Sequence, residues 1–243
     1  MKKVTLITGA GRGIGKEIAL KFAEKKHTLY LLVKEKKQKQ DLIKILNKQN
    51  VQYYILVGDL KKLRFIKSLE KKIKKIDNLI NNAALANTKY FTNVNSKELE
   101  NIIDVNLKSV FELSKIFAKK MIKNKIKGNI INISSQLGHT GAYNRTAYCM
   151  TKFGLEGLTK SMALDLAKHG IRVNTIAPTK TIVNPEELIK NKKRLNLIKN
   201  KIPLKKFSTK KEIAGIVYFL TSDAANSITG SSIISDGGWT AGK

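Results

Sequence analysis

Apolar positions along the chain fall into two alternating patterns. Val4-Thr5-Leu6-Ile7-Thr8 is a short, nearly solid run, which predicts a strand buried on both faces. Glycines crowd Gly9 to Gly15, and Ile14, Ile18, Ala19, Phe22 and Ala23 then recur at helical spacing. The couplet repeats. A strand over Thr28–Val33 precedes a Lys-rich amphipathic helix carrying Leu42, Ile43, Ile45 and Leu46. A strand over Gln52–Val57 precedes a helix over Leu63–Ile76, and a short strand at Leu79-Ile80 stops at Asn81-Asn82. A long helix is predicted from about Lys97 to Lys123, its core stripe running from Leu99 and Ile102 through Leu113 to Phe117. Then come a strand over Asn129–Ser134 and a helix over Thr146–Lys168, with Gly170 as its C-cap. A strand over Ile171–Ala177 is stopped by Pro178, a helix covers Glu212–Leu220, and a last strand covers Ser232–Ser235.

Strict alternation of strand and helix implies an α/β fold: one doubly wound parallel sheet of about seven strands, with helices on both faces. No linker interrupts it, so residues 1–243 read as a single domain. The rhythm fails only over about 179–208, which holds Pro185 and Pro203, two of the 3 prolines. An excursion of that length inside a compact domain reads as a lid over a site.

Composition changes this picture less than it first promises. The 243 residues carry 47 Lys+Arg against 18 Asp+Glu, a formal charge of +29. Such a balance points toward nucleic acid. However, only 5 of the basic residues are Arg, the preferred residue for bidentate phosphate and base contacts. The lysines are also scattered from Lys2 to Lys243. The charge therefore reads as background, and neither a nucleic-acid nor a membrane partner is expected. Cys149 is the 1 cysteine, which excludes an internal disulfide and a Cys-rich zinc site, and no metal is expected. With no long apolar run and no signal-peptide pattern, the expected compartment is the reducing cytoplasm.

The chemistry begins at Thr8-Gly9-Ala10-Gly11-Arg12-Gly13-Ile14-Gly15, between the first strand and the first helix. Glycines there let a diphosphate approach backbone N–H groups at a helix N-terminus, where the dipole favours anions. The spacing Thr-Gly-x-x-x-Gly-x-Gly resembles the short-chain dehydrogenase/reductase family, whose fold is Rossmann-type. Asn81-Asn82-Ala83-Ala84 is similar to that family's Asn-Asn-Ala-Gly, with Ala84 in place of Gly. Asn106, Ile133-Ser134-Ser135 and Tyr148-Cys149-Met150-Thr151-Lys152 follow in the family's order, and the spacing to Tyr148 selects Ser135 over Ser134.

The residue types suit hydride transfer between a carbinol carbon and nicotinamide, which requires a proton to move on the oxygen. A tyrosine can do this once its pKa falls from ~10 toward neutrality. Lys152, one turn on, would supply the lowering charge. Ser135 can donate a hydrogen bond to the substrate oxygen. The resemblance implies that Asn106 holds a relay water. It also implies that Gly9, Gly11, Arg12, Gly13, Ile14 and Gly15 cradle the cofactor. Asp59 would contact the adenine amino group with Leu60 beside it, and Asn82, Ala83, Tyr148, Lys152, Pro178 and Thr181 would complete the site. The family's carboxamide-binding Thr is Val183 here, with Thr181 a possible substitute.

At the end of the second strand stands Val33, where NAD enzymes carry an acidic residue, followed by Lys34. With Arg12 in the turn, Lys34 points to NADP(H), NAD(H) being the alternative. Substrate candidates are Gln136, His139, Asn144 and Arg145, the last either anchoring a substrate anion or making a capping or inter-subunit contact. Two readings stay open. One is a small polar hydroxy compound such as a polyol, sugar or sugar acid. The other is a 3-oxoacyl-[acyl-carrier-protein] reductase, whose acidic carrier would suit bases such as Lys123, Lys125, Lys127 and Arg172. A catalytically silent dinucleotide-binding regulator is disfavoured by the intact Asn, Ser, Tyr and Lys set. The resemblance also implies a homotetramer or homodimer.

Overall fold

The structure is a computed structural model that describes residues 2–181 and 192–242. Seven strands form one parallel sheet: β1 (Val4–Thr8), β2 (Thr28–Val33), β3 (Tyr53–Val57), β4 (Asn78–Asn81), β5 (Asn129–Ile133), β6 (Arg172–Pro178) and β7 (Ser232–Ser235). Their order is β3-β2-β1-β4-β5-β6-β7. The helices are α1 (Gly13–Glu24), α2 (Lys36–Leu46), α3 (Leu63–Lys72), α4 (Ser96–Ile103), α5 (Ser109–Lys123), α6 (Thr146–Ala167), α7 (Lys192–Asn200) and α8 (Lys210–Leu220).

The solid apolar runs follow from burial on both sides. In β1, Leu6 joins the core beneath α3 and α5, with Ile66, Leu113 and Phe117. Its neighbour Ile7 joins the opposite core beneath α1 and α8, with Ile18, Phe22 and Val217. Period 2 in a strand requires this split. The strand order reverses direction between β1 and β4, so the connections on either side diverge at their C-terminal ends and leave a crevice there.

Buried polar side chains tie the central strands together. Asn129 Nδ2 donates to Asn78 Oδ1 (3.0 Å), and Asn78 Nδ2 donates to Thr5 Oγ1 (3.1 Å). One layer up, Asn81 Nδ2 donates to Asn132 Oδ1 (2.9 Å), and Asn132 Nδ2 donates to Thr159 Oγ1 on α6 (2.8 Å). These amides hold β4, β5 and α6 in register beneath the crevice.

Three expectations change. The helix expected from Lys97 to Lys123 is interrupted by a wider π-helical turn, Asp104–Lys108, between α4 and α5. The helix expected to reach Ile76 ends at Lys72, although Ile73 and Ile76 are still fully buried by the chain that follows. The expected lid contains a regular helix, α7. Part of that lid, with Val183, lies outside the described residues.

Replacing Asn132 with Ala removes one hydrogen bond each from Asn81 and Thr159, which keep those to Ser114 Oγ and Leu155 O. Unmet buried groups cost about 1–3 kcal/mol each. Asn132→Ala should therefore lower unfolding free energy by about 2 kcal/mol or more, read as a shift of the urea midpoint at unchanged slope.

Candidate active site

Two neighbouring clefts open at the C-terminal ends of the strands, sharing Ile14, Asn82 and Ala84. The first, of about 460 Å³, is lined by Gly9, Gly11, Arg12, Gly13 and Ile14 from the glycine turn. Val33, Lys34, Asp59, Leu60, Asn82 and Ala83 complete much of its wall. The turn is packed backbone against backbone. Gly9 has φ +64°, and a Cβ there would sit 2.9 Å from Ala83 Cα. A Cβ on Gly15 would lie 2.3 Å from Gly9 O and 2.4 Å from Asn82 Nδ2, so Gly15 shapes the turn from beneath and does not line the cleft.

Thr8 and Asn82 hold this seam. Thr8 Oγ1 accepts from the backbone N–H groups of Asn82 (2.9 Å) and Ala83 (3.0 Å). Asn82 Nδ2 returns bonds to the carbonyls of Thr8 (3.0 Å) and Gly9 (3.2 Å). Helix α1 opens from the turn with neither a capping side chain nor an acidic residue in its first turn. By contrast α2, α4 and α8 each open on a capping box. The free N–H groups and dipole of α1 thus face the cleft, as an anion-binding helix end requires. These residues fit a dinucleotide diphosphate. At the far end Gln38 folds over Gly11, and Glu35 also lines the wall. The sequence reading missed both.

The second cleft, of about 640 Å³, brings Ser135, Tyr148 and Lys152 together with Pro178, Thr181, Gln136 and Arg145. Leu195 and Ile198 of α7 form part of its wall, so the described end of the lid borders this cleft. Ser135 Oγ accepts from Leu137 N (3.1 Å). Thr181 Oγ1 donates to Thr179 O (3.2 Å), inside the fold.

Lys152 is 2% exposed, and its Nζ donates to Ile133 O at 2.7 Å and sits 5.5 Å from the centroid of the Tyr148 ring. Burial pushes the Lys152 ammonium down to about 8, against the opposing charge of Glu156. Burial likewise pushes the Tyr148 phenol up, while a hydrogen bond with Ser135 and the Arg145 guanidinium pull it down. Within the chain, the groups lowering Tyr148 are thus Ser135 and Arg145.

Asn106 lies in the π-helical turn, 1% exposed. Its Oδ1 accepts from Leu85 N (2.8 Å), and its Nδ2 donates to Leu85 O (2.9 Å) and Thr151 Oγ1 (3.0 Å). The side chain pins the loop after β4 to helix α6.

Two substrate candidates are placed elsewhere. His139 Nε2 lies 3.0 Å from Ser232 Oγ and 3.2 Å from Glu156 Oε1, and it does not line the cleft. Asn144, exposed with φ +59°, accepts at its carbonyl from Lys89 N (3.1 Å), likewise outside the lining. Gln136 and Arg145 do line it. Arg145 Nη1 donates to Asn87 O (2.7 Å), so part of its fork holds the loop after β4. Arg172 is not an open surface base, because it donates to the carbonyls of Leu220, Ser222 and Ile228.

A glycine-turn cleft beside a Ser-Tyr-Lys cleft on a seven-stranded parallel sheet defines a dinucleotide-dependent oxidoreductase class. The family model described as enoyl-(acyl carrier protein) reductase matches residues 9–240. A Buchnera aphidicola 3-oxoacyl-[acyl-carrier-protein] reductase, FabG, is 38% identical over 98% of this chain and 97% of its own. A 4-hydroxyisoleucine dehydrogenase solved with NADH is 34% identical, with full coverage of both chains (100%) and a TM-score of 0.92. A Beutenbergia cavernae protein, described as a candidate NAD(P)-dependent gluconate 5-dehydrogenase and solved with NADP at low occupancy, is 27% identical. It covers 98% of this chain and 97% of its own, with a TM-score of 0.92. The chain belongs to the short-chain dehydrogenase/reductase family. It is an oxidoreductase of that family, with a nicotinamide dinucleotide as its cofactor.

Gly15→Val would drive a branched side chain into Gly9 O and Asn82 Nδ2. NADPH and NADH binding, followed by fluorescence titration, should both fall below detection while the sheet still gives its circular dichroism signal.

Proposed function

We propose that this enzyme interconverts a secondary alcohol and a ketone on a small polar hydroxy compound, such as a polyol, sugar or sugar acid, and prefers NADP(H). The carrying observation is the convergence of Ser135, Tyr148 and Lys152 on one cleft that adjoins the glycine turn. When bound, the cofactor supplies or accepts the hydride. The chain's own residues do the rest. Ser135 turns its hydroxyl from Tyr148 to the substrate oxygen and orients it by a hydrogen bond. Tyr148 exchanges a proton with that oxygen at its hydroxyl. Lys152 contributes positive charge beneath the ring and a donor toward the cofactor ribose. Asn106 acts by position, holding the β4 loop against α6. No helix among the described residues is long and apolar enough to cross a membrane.

Arg145 in the wall of the substrate cleft, beside Ser135 and Tyr148, supports a hydroxylated substrate over an acyl chain. The 38% identity to FabG favours the second reading, reduction of a 3-oxoacyl thioester on a carrier protein. The exposed lysines Lys123, Lys125 and Lys127 lie where α5 runs into β5, at the other end of the strands from the cleft. We further propose a homo-oligomer, supported by exposed apolar side chains on α5 and α6, namely Phe111, Met150, Phe153 and Leu164.

Reduction of acetoacetyl thioesters, compared with oxidation of a panel of polyols and sugar acids, decides between the substrate readings. Turnover of the panel and not of the thioester is expected. Tyr148→Phe should lower kcat/KM roughly a thousandfold while NADPH still binds.

The preference for NADP(H) rests on Arg12 and Lys34 beside Val33, in the wall of the dinucleotide cleft. A charge-assisted hydrogen bond is worth roughly 1.5–3 kcal/mol, so Lys34→Ala should cost NADPH about tenfold or more in kcat/KM and leave NADH unchanged. Equal losses with the two cofactors would remove the basis for the preference.

A further inference from the structure

Glu156 is a carboxylate with no place in the reaction described above, yet it is only 7% exposed. It stands one helical turn after Lys152 on α6, so the two side chains leave the same helix face toward the sheet. Its Oε2 accepts from Thr175 Oγ1 of β6 at 2.7 Å. Its Oε1 lies 3.2 Å from His139 Nε2, which in turn lies 3.0 Å from Ser232 Oγ at the start of β7. His139 comes from the loop that begins at Ser135. That loop is pressed onto α6 at Gly138, where a Cβ would lie 3.0 Å from Lys152 O and 3.2 Å from Glu156 Cγ.

A buried carboxylate is costly unless it is paired or hydrogen-bonded. Here Oε2 accepts a hydrogen bond from Thr175, whereas Oε1, buried without a hydrogen bond among the described residues, faces the His139 ring. We propose that Glu156 is a positioning residue of the active site: it supplies the counter-charge for the buried Lys152 ammonium and, through His139 and Thr175, braces the Ser135 loop against α6 and the β6–β7 edge. This extends the oxidoreductase reading, because it assigns the charge that keeps Lys152 fit for its role.

The groups facing this pair come from every neighbouring element. Helix α6 presents Tyr148 and Lys152, and the Ser135 loop presents His139 and the Ser134 hydroxyl. Strands β6 and β7 present the hydroxyls of Thr175 and Ser232, and β5 presents the Ile133 carbonyl that receives Lys152 Nζ. Glu156 is the anion of the set. Its loss should make Lys152 release its proton at lower pH.

The test follows the Lys152 side chain directly, by carbon NMR of the full-length protein labelled at lysine Cε, the signal being assigned by its absence in Lys152→Met. Glu156→Gln keeps the volume and the bond from Thr175 and removes only the charge. The Lys152 titration midpoint should fall by about one pH unit. Glu156→Asp keeps the charge, and the midpoint should stay close to that of the unaltered protein. An unmoved midpoint in Glu156→Gln overturns the proposal. So does an equal fall in both variants, which would mean that packing and not charge is at work. If Glu156→Gln does not fold, Glu156→Leu, which also removes the charge, is read by the same criterion. The brace is read separately. His139→Gln should lower kcat several-fold and leave KM for NADPH unchanged, whereas an unchanged kcat removes the brace. The NMR arm needs no substrate, so it stands or fails independently of the proposed reaction.

Discussion

The burial of one ammonium group organises the active end of this molecule. Lys152 lies 2% exposed beneath the cleft, and the structure meets the cost of that charge with a carbonyl from β5 and a carboxylate one turn along α6. The carbonyl demands that α6 lie close against the sheet. The Asn132–Thr159 bond, the packing of Gly138 on α6 and the Glu156–Thr175 bond all serve that approach. At about 8, Lys152 remains an ammonium at neutral pH, close enough to its titration for small changes in its surroundings to matter. Tyr148 is pushed the opposite way by the same burial, so two groups with nearly equal ordinary values are driven apart, Lys152 below and Tyr148 above.

The dinucleotide end obeys a different constraint, the close approach of backbone to backbone. Gly9 and Gly15 leave no room for a side chain, and Thr8 with Asn82 stitches β1 to the chain leaving β4. What this produces is an uncapped helix end. Helices α2, α4 and α8 satisfy their own first N–H groups with side chains, whereas α1 leaves its own for a ligand. Helices α3 and α6 also start without a side-chain cap, so what marks α1 is the glycine turn that leads into it.

Strands β1 and β2 have the bounds that their apolar runs predict, because strands covered on both faces are largely apolar. The glycine turn and the Tyr-x-x-x-Lys pair were equally legible, since each is a local arrangement of a few residues on one element. The π-helical turn at Asp104–Lys108 was not. Its apolar stripe keeps helical spacing, and the widening shows only in where Asn106 reaches, a loop 21 residues earlier. His139 misled for a related reason. Its place between Ser135 and Tyr148 suggested substrate, but its direction is set by Glu156 and Ser232, residues it meets only after α6 and β7 have packed. Arg172 had looked like a surface base. It is held by three carbonyls beyond α8, a contact spanning about fifty residues of chain.

The +29 charge is a property of the sequence that never became a property of the site, since the cations that matter are few and differently held. By itself the sequence determined the alternation of elements, the glycine cradle and the identities of Ser135, Tyr148 and Lys152. These depend on periodicity and on spacing within one or two turns of chain. Only the tertiary structure decided which polar groups share a cavity, which cations are spent on carbonyls and which groups of β6 and the Ser135 loop meet Glu156. Burial and pairing depend on distances between elements far apart in the chain, and those distances exist only once the two faces of the sheet are covered.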